Sequence, residues 1–568
     1  MDGGIWNAYI AQPSRDQRNI FCSILLINLS KMRSISPRLW LLAVASALLQ
    51  ALPFAIAGPV PIWRRAFCWI ALTPLIVALL AKDRVGHALR PAQTALLGYC
   101  CGVLWYLANC YWIYQTMYLY GDLPRLVSFG ILILFSLYLG LYHALFGWIV
   151  GLLHARAGRR YALLAVPFAW VAVELARARI TGFPWDLLGY AQVDNLLLTR
   201  LAPWGGVMLL SFVIAAVCTL FAAAWLAGNR RRWSVAVAGL VLAVMLQAGV
   251  AYHPPLDASP HIATLLQENI VPGAVGREAE RLPTLEKYRQ FTAWSRSPRT
   301  AVSERTFDLY SFPVSADLRP ELIVWPEAPA DFFTHDPVFR AEIGDLARST
   351  RTPVISGSVG VDFDPNAEGG YHEFGSAAVF DKDGNYFGRY DKIHRVPFGE
   401  YVPYKNLLFF AGKLTAGSGR TEAGTEHTVF HLNGHTVGIF ICYESIFGDE
   451  VREFVKNGAD VLVNISDDGW YGDTGAPWQH LDMERMRAIE NHRWILRDTN
   501  TGVTTSIDPH GRGVFSTPRH IRAAFLFPFD YCSDVTFYTH HGDWFAWLCA
   551  VLTVAALAFG PRQRREVH

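Results

Sequence analysis

Charged residues are scarce in this sequence of 568 residues. Asp, Glu, Lys and Arg make up 17% of the chain, whereas hydrophobic residues make up 52%. Ordinary soluble domains carry about 25% charged residues, so the composition excludes a wholly soluble protein. The formal net charge is only +2 and the basic residues are scattered, which argues against a nucleic-acid-binding surface. We therefore expect a membrane protein with no nucleic-acid partner.

Paired cysteines of the kind that bind zinc are also missing. The chain has nine cysteines, and only Cys442 and Cys532 lie in the polar part of the sequence. It has neither a Cys-x-x-Cys pair nor the spacing of a disulfide framework. Gln479, His480 and His492 have no third ligand at a useful spacing, so we interpret them as hydrogen-bonding groups on a helix surface or a loop. The sequence predicts no metal and no cofactor.

Long apolar runs fill the first 255 residues and recur near the end of the chain. A bilayer core requires about 20 apolar residues per helix. Seven such runs precede the large polar segment and an eighth follows it: Leu39–Ala57, Ala66–Ala81, Ala92–Trp112, Leu126–Leu153, Tyr161–Val173, Val207–Ala227, Ser234–Tyr252 and Trp544–Gly560. The fifth run is short and ends at Glu174. These runs predict a multi-span α-helical membrane bundle.

Basic residues are distributed asymmetrically between the spans. They cluster before the first span and after the second, fourth, sixth and eighth: Lys31, Arg33, Arg38, Lys82, Arg84, Arg90, Arg156, Arg159, Arg160, Arg230, Arg231, Arg232, Arg562, Arg564 and Arg565. With seven spans before the polar segment, all these clusters fall on one side, which the positive-inside rule assigns to the cytoplasm. The polar segment is then extracytoplasmic. Arg64 and Arg65, in the first outer loop, are exceptions to the rule.

The spans divide the chain into four parts. Residues 1–38 form a cytoplasmic leader whose start is left open, because Met32 is a second candidate start. Residues 39–255 form a membrane domain of about seven helices, and residues 256–535 form an extracytoplasmic domain. Residues 536–568 supply the final transmembrane helix and a basic cytoplasmic tail.

Short β-rich runs alternate with helical segments in the extracytoplasmic domain. The runs HIATLLQENI, ELIVWPEAP, TPVISGSVG, SAAVFDKDG, HTVGIFICYE and ADVLVNISDDGW are typical of buried strands that end in polar residues. Leu282–Arg296, Val338–Thr350 and Trp478–Arg493 have apolar residues at helical spacing. This alternation predicts a layered α/β domain in which functional groups gather where strands end. The polar run Pro298–Pro320 interrupts the alternation, and we interpret it as a surface insertion.

Three of the strand ends carry reactive or charged residues. Cys442 follows an apolar run, and a neighbouring positive charge would lower the pKa of its thiol. Glu327 follows a strand that Pro326 ends, and Lys392 lies in YDKIH, just ahead of VPFGEY. Taken singly, these residues are more commonly an inert cysteine, a solvated carboxylate and a surface ion pair. Their joint occurrence favours a catalytic site.

The order Glu, Lys, Cys, with each residue inside an unusual local string, resembles the carbon-nitrogen hydrolase (nitrilase) superfamily. The chain is still more similar to the membrane branch of that superfamily, the apolipoprotein N-acyltransferases. The resemblance covers most of the chain, through TGFPW, WPE, YDKIHRVPFGEYVP, ICYES, NISDDGWYGDTGAPWQH and RAIENHRWILRDTNTG. It implies that the polar domain folds as an α-β-β-α sandwich.

The resemblance also implies a role for each residue of the site. Glu327 is the general base, Lys392 stabilises the oxyanion and Cys442 is the nucleophile. Glu400 orients Lys392, while the two residues after the cysteine, Tyr443 and Glu444, shape the acyl site.

The sequence departs from the family pattern at two places. Asp467 stands where the family usually has Asn, and Gly469 replaces a common Ala. The stretch Tyr371–Ser376 lacks the usual Asn. These departures concern the local loop geometry rather than the three catalytic residues.

Phe183 and Trp185 lie at the outer end of a span, in the string RITGFPWDLLGYAQ. Aromatic residues gather at membrane interfaces, so the string is consistent with an aromatic belt. It is equally consistent with the wall of a substrate entrance that faces the lipid. Both interpretations stay open.

The resemblance implies a two-step acyl transfer. Cys442 takes an acyl chain from a membrane phospholipid as a thioester, and the α-amino group of a diacylglyceryl-cysteine lipoprotein then accepts it. Two alternatives are a membrane-anchored nitrilase-type amidase and a non-catalytic lipoprotein-binding module. The amidase needs neither seven spans nor an aromatic entrance, and the intact Glu, Lys and Cys argue against the module.

Overall fold

The computed structural model describes the chain in ten segments. They are residues 35–82, 87–227, 229–256, 259–270, 284–298, 319–327, 332–367, 369–397, 399–401 and 421–561. The leader before residue 35, most of the insertion Pro298–Pro320 and the tail after residue 561 lie outside the described residues. Predictions about these three segments therefore stay predictions.

Apolar helices form the first part of the structure. They are α1 (Pro37–Ala51), α2 (Ile62–Leu79), α3 (Pro91–Asn109), α4 (Arg125–Ala157), α5 (Arg159–Ala176), α6 (Ala202–Leu226) and α7 (Asn229–Gln247). Among the described residues, five helices are long and apolar enough to cross a membrane. A sixth span results if α3 and the following helix Trp112–Tyr120, bent by 50°, are taken together. The predicted multi-span α-helical bundle is confirmed.

The fifth span extends beyond its predicted end. The sequence prediction ends it at Glu174, but α5 continues into a π-helical turn that ends at Thr181. Glu174 is buried and accepts a hydrogen bond from the backbone N–H of Leu188 (2.8 Å), while Arg177 donates to the hydroxyl of Tyr106 (2.8 Å). Hydropathy placed the end too early because charges that face the bundle interior and find partners are tolerated there.

Arg64 and Arg65, the exceptions to the positive-inside rule, are bound in structural contacts. Arg64 Nε donates to the carbonyl oxygen of Leu52 (2.9 Å). Arg65 is 4% exposed and forms salt bridges with Asp194 (2.5 Å) and Asp482 (2.8 Å). Since both side chains hold the fold together, their position reflects packing rather than topology.

Two β-sheets with helices on both sides form the second part. The strands are β1 (His261–Gln267), β2 (Leu322–Trp325), β3 (Val354–Phe363), β4 (Tyr371–Phe380), β5 (Tyr386–Asp391), β6 (Thr421–Glu422), β7 (Val429–Leu432), β8 (His435–Ile441), β9 (Val461–Ser466), β10 (Ile495–Thr499), β11 (Thr505–Ile507), β12 (Gly513–Ser516) and β13 (Ala523–Phe529). The helices are α8 (Thr284–Arg296), α9 (Pro337–Thr350), α10 (Gly448–Lys456), α11 (Ala476–Asn491) and α12 (Phe537–His541). The apolar helix α13 (Trp544–Phe559) follows them and packs against α5 of the membrane bundle. One sheet has the order β13-β1-β2-β3-β4-β5, with β6 beside β4, and the other has the order β12-β11-β10-β9-β8-β7. The six predicted strands and three predicted helices are all present.

The sheets pack face to face between two helical layers. Along β2, Leu322 and Val324 pack in the core between the sheets, whereas Ile323 and Trp325 pack with side chains of α8 and α9. In the second sheet, Phe440 of β8 contacts α10. This alternation is the period of two of a strand buried on both faces. The order of layers is α-β-β-α, as the resemblance implies.

Helix α11 joins the α/β domain to the membrane helices. Gln479 donates to the carbonyl oxygen of Ala55 (2.7 Å), and Arg487 donates to the hydroxyl of Tyr190 (2.9 Å). Nearly all of its side chains are buried, although many are polar. The helix that was predicted from apolar spacing therefore lies between two folded layers and has no free polar face.

Two of the basic residues between the spans, Arg156 and Arg159, lie at the opposite end of the bundle. α5 begins at Arg159, and its continuation ends four residues before Trp185, which contacts α11. Arg159 itself donates to the carbonyl oxygen of Leu226 at the end of α6 (3.3 Å), and Arg156 donates to that of Leu557 in α13 (3.1 Å). The α/β domain and these arginines are thus separated by the length of the helices.

Candidate active site

Glu327, Lys392 and Cys442 come together where three strands end. Glu327 lies two residues after β2, Lys392 directly follows β5, and Cys442 directly follows β8. Lys392 Nζ lies 2.9 Å from Glu327 Oε1 and 2.6 Å from Glu400 Oε1. The charges of Glu327 and Lys392 both act on the thiol of Cys442. The folded chain thus brings the candidate base, the candidate oxyanion stabiliser and the candidate nucleophile into one cluster, in which Lys392 and Cys442 are buried and Glu327 is partly exposed.

Cys442 occupies a strained turn. Its φ of +51° lies in the left-handed region, which non-glycine residues rarely adopt. The residue begins the short 3-10 helix Cys442–Ile446 and is 6% exposed. Strained residues of this kind concentrate at functional sites, and a sharp strand-to-helix turn presents a nucleophile above its sheet.

Lys392 lowers the pKa of the Cys442 thiol as predicted from the sequence, but the net shift of that pKa is upward. Burial and the charge of Glu327 raise the pKa of the thiol well above its usual value, and the lowering effect of Lys392 does not compensate. Burial alone would lower the pKa of Lys392, but Glu327 and Glu400 outweigh it and raise that pKa. The thiol is therefore protonated at neutral pH, the ammonium keeps its charge, and attack by sulfur requires a base.

Glu400 holds the loop that follows Lys392. One carboxylate oxygen contacts Lys392 Nζ, and the other accepts a hydrogen bond from the backbone N–H of Val396 (2.9 Å). The side chain therefore fixes both the ammonium and the backbone four residues later in the chain.

Glu444 ties the loop after Lys392 to the residue before Cys442. Its Oε1 accepts from the backbone N–H groups of Ile393 (2.6 Å) and His394 (3.0 Å), and its Oε2 accepts from that of Ile441 (2.6 Å). It is 2% exposed. The contacts of Glu444 position the two loops relative to each other, and its predicted part in shaping the acyl site stays a prediction.

Tyr443 and the aromatic pair Phe183 and Trp185 link the site to the membrane helices. The hydroxyl of Tyr443 donates to the carbonyl oxygen of Gly182 (3.4 Å). Trp185 is fully buried and donates through Nε1 to Gln479 Oε1 (2.8 Å), while Phe183 is 7% exposed. Trp185 thus lies inside the junction between the two parts, and its ring faces neither lipid nor solvent. That Phe183, Trp185 and their neighbours line a substrate entrance stays a prediction.

The two departures from the family pattern lie close to the candidate base and lysine. The backbone N–H of Asp467 donates to Glu327 Oε2 (3.1 Å), and burial raises the pKa of the Asp467 carboxyl to about 7. Tyr371–Ser376 forms part of β4, where the carbonyl oxygen of Gly375 accepts from the backbone N–H of Lys392 (2.9 Å). Both departures are therefore accommodated in regular backbone contacts.

A buried ionic network beneath Cys442 was missed from the sequence. His480 Nδ1 lies 2.8 Å from Asp468 Oδ1, and Arg497 donates to Asp468 Oδ2 (2.5 Å) and to Glu484. All four side chains have no exposed surface. The interpretation of His480 as a surface group is therefore wrong, although it does form hydrogen bonds. A signal was available, because Arg497 directly follows the apolar run Trp494-Ile495-Leu496, and an arginine in a buried strand must find a partner.

Within the described part of the chain, no group of three or more His, Cys, Asp or Glu side chains is arranged to hold a metal ion.

Known proteins match the chain over nearly its whole length. Residues 46–220 match the apolipoprotein N-acyltransferase N-terminal domain, and residues 304–524 match the carbon-nitrogen hydrolase family. The apolipoprotein N-acyltransferase of Geobacter metallireducens is 35% identical over 552 residues, which cover 94% of this chain and 97% of that protein. The chain belongs to the apolipoprotein N-acyltransferase family. It is therefore an acyltransferase and a membrane protein.

Further relatives share this coverage. The apolipoprotein N-acyltransferase of Methylococcus capsulatus is 33% identical, and the match covers 92% of this chain and 96% of that protein. Among solved structures, the carbon-nitrogen hydrolase from Helicobacter pylori G27 is 15% identical, with a TM-score of 0.32, over 47% of this chain and 89% of that chain.

Proposed function

We propose that this acyltransferase N-acylates the α-amino group of the N-terminal diacylglyceryl-cysteine of lipoproteins, with a membrane phospholipid as acyl donor and a thioester on Cys442 as intermediate. The observation that carries the proposal is the cluster in which the buried Lys392 contacts both Glu327 and Glu400 beside Cys442. The names of the relatives supply the acceptor class.

In the first step, Glu327 takes the proton of the Cys442 thiol while the sulfur attacks the ester carbonyl carbon of the phospholipid. Lys392 stabilises the negative charge that develops on the carbonyl oxygen. The carbon–oxygen bond of the ester then breaks, and the leaving alkoxide takes the proton from Glu327. The products are a lysophospholipid and the acyl thioester of Cys442.

In the second step, the free α-amino group of the lipoprotein attacks the thioester carbon. Glu327 accepts a proton from the amine as the new amide bond forms, and it passes this proton to the departing thiolate of Cys442 as the carbon–sulfur bond breaks. Acyl donor and acceptor are both anchored in lipid, so a site tethered to membrane helices raises their effective concentration at the nucleophile. Burial of Cys442 also limits access of water to the thioester.

We also propose the arrangement of the chain in the cell. Residues 39–255 and the helix within residues 536–568 lie in a bacterial inner membrane, and the catalytic domain, residues 256–535, lies in the periplasm. The separation of the α/β domain from Arg156 and Arg159 supports this orientation, since the positive-inside rule places those arginines in the cytoplasm.

Purified protein incubated with a fluorescent diacylglyceryl lipopeptide and phospholipid tests the function. The proposal requires an N-acylated lipopeptide that forms only when the phospholipid is present. Hydrolysis of small amides without acyl transfer would favour the amidase, and tight binding of the lipopeptide without turnover would favour a non-catalytic module.

A further inference from the structure

The strained turn at Cys442 needs contacts on both of its sides. A backbone in the left-handed region relaxes unless its surroundings hold it. Before the turn, Glu444 binds the N–H of Ile441 (2.6 Å). Inside the turn, the carbonyl oxygen of Cys442 and the hydroxyl of Ser445 both face His480, because its Nε2 lies 3.2 Å from the first and 2.6 Å from the second.

The ring of His480 is itself held in one orientation. It has no exposed surface, and Nδ1 lies 2.8 Å from Asp468 Oδ1. Asp468 is in turn bound by Arg497, and the positive charge of Arg497 holds the pKa of the Asp468 carboxyl below its usual range in spite of burial. Because the partner of one ring nitrogen fixes the direction of the other, this network directs Nε2 at the turn.

The face of the His480 ring packs on the membrane part of the protein. The indole of Trp185 lies parallel to it, with ring planes within 9° and centroids 6.0 Å apart. Trp185 also donates to Gln479, the residue before His480. The loop that follows α5 and the turn that carries Cys442 therefore contact the same imidazole from two directions.

We propose that His480 is a positioning residue, which fixes the conformation of Cys442 through Nε2 and so places the sulfur for attack. The proposal deepens the function above and rests on Cys442 as the nucleophile. No substrate contact is assigned to His480. Its effect is on the rate at which the thiol reacts rather than on affinity for the donor.

Two near-isosteric variants separate this role from a purely structural one. The amide of His480→Gln reaches as far as Nε2 and keeps a polar group at the turn, whereas that of His480→Asn reaches only as far as Nδ1 and keeps a partner for Asp468. We expect His480→Asn to slow single-turnover acylation of Cys442 by about 100-fold, the cost of a displacement on the order of 1 Å, without a matching change in KM for the phospholipid. His480→Gln should retain most of the wild-type rate.

The same variants are compared by alkylation of Cys442 with iodoacetamide, followed by mass spectrometry of its peptide. This readout needs no acyl transfer, so it still decides on His480 if the wild-type protein fails to be acylated and the proposed function falls. Equal alkylation and acylation rates in all three proteins, or equal slowing in both variants, would overturn the proposal.

Ser445→Ala is the second probe if His480→Asn does not fold, because it removes the hydroxyl partner of Nε2 with little change in volume. A slower reaction of Cys442 at an unchanged melting temperature supports the positioning role. A wild-type rate contradicts it.

Discussion

Lys392 lies between two carboxylates that have different tasks in the proposed reaction. When Glu327 takes the proton of the thiol, it loses its negative charge and its ion pair with Lys392. A buried ammonium without a partner is costly, but Glu400 remains 2.6 Å from Nζ. The second carboxylate therefore keeps Lys392 charged and in place while the oxyanion forms.

Replacement of Glu400 tests this division of tasks. In Glu400→Gln the amide keeps the shape of the side chain but not its charge, so we expect kcat for acylation to fall by roughly 10- to 100-fold, as is common for residues that orient a reacting group. Steady-state assays should show little change in KM. Glu453→Gln is the matched control, because Glu453 of α10 also pairs with a lysine, Lys456 (2.7 Å), away from Cys442. Wild-type turnover of Glu400→Gln would show that the carboxylate is dispensable.

The raised pKa of Cys442 predicts a particular pH dependence. Burial and Glu327 raise the pKa of the thiol, so the thiolate fraction is small at neutral pH. As long as the pH stays below that pKa, each increase of one pH unit raises the thiolate fraction about tenfold. The rate of alkylation of Cys442 by iodoacetamide should thus rise steadily from about pH 6 to about pH 9, since the usual thiol pKa is about 8.5 and that of Cys442 is higher. A rate that is already constant at pH 6 would indicate a stable thiolate and contradict the electrostatics described here.

Single residues were predictable from the sequence where local strings carry them. Glu327, Lys392 and Cys442 each follow a strand, and each lies in a distinctive string. His480 was not recognised because its importance depends on burial and on partners in other elements, which the spacing of one helix does not show. Trp185 was placed correctly at the end of a span, but its burial depends on α11, almost 300 residues later in the chain.

At the scale of elements, α11 is the joint between the two parts of the molecule. Asp482 of α11 pairs with Arg65 of α2, Arg485 pairs with both Asp482 and Asp194, and Asp194 also pairs with Arg65. Two arginines and two aspartates thus form a closed ring of charges. Such a ring compensates the charges only while all four members are present.

A double-mutant cycle tests the ring. Arg65→Met leaves Asp194 and Asp482 to share Arg485, and breaking a buried ion pair typically costs about 3–5 kcal/mol. We therefore expect a clear fall in the melting temperature in detergent. Combining Arg65→Met with Asp482→Leu leaves one balanced pair and should recover part of the loss, whereas simply additive losses would show that the charges are not coupled.

Elements were predictable where the periodicity is strong. The long apolar runs and the strands β2 and β8, which precede Glu327 and Cys442, were found, whereas β5, which precedes Lys392, was not. The sequence did not predict the bend after α3. It also did not predict that α1 ends at Ala51, just before Pro53. Apolar composition alone does not show where a helix breaks. The sequence also did not predict β5, β6, β7, β10, β11, β12 or β13. Most of these strands are short or contain polar residues, so they lack a long apolar run.

At the scale of the whole molecule, the orientation of the protein in the membrane is the prediction that still needs a test. Lys382 lies in the exposed turn between β4 and β5, and Arg160 is exposed at the opposite end of the bundle. In intact spheroplasts, an impermeant thiol reagent should label Lys382→Cys, while Arg160→Cys should be labelled only after lysis. The reverse pattern would place the α/β domain in the cytoplasm and contradict the positive-inside assignment.

The most direct test of the account is the acyl-enzyme itself. Protein incubated with labelled phospholipid and no acceptor should acquire the label on Cys442, because the buried thioester persists when no amine is present. Neutral hydroxylamine should remove the label, a lipopeptide amine should take it up into product, and Glu327→Ala should suppress its formation. The account predicts no label on Cys442→Ala. A hydroxylamine-sensitive acyl group on that variant, or wild-type transfer by it, would contradict the assignment of Cys442 as the nucleophile.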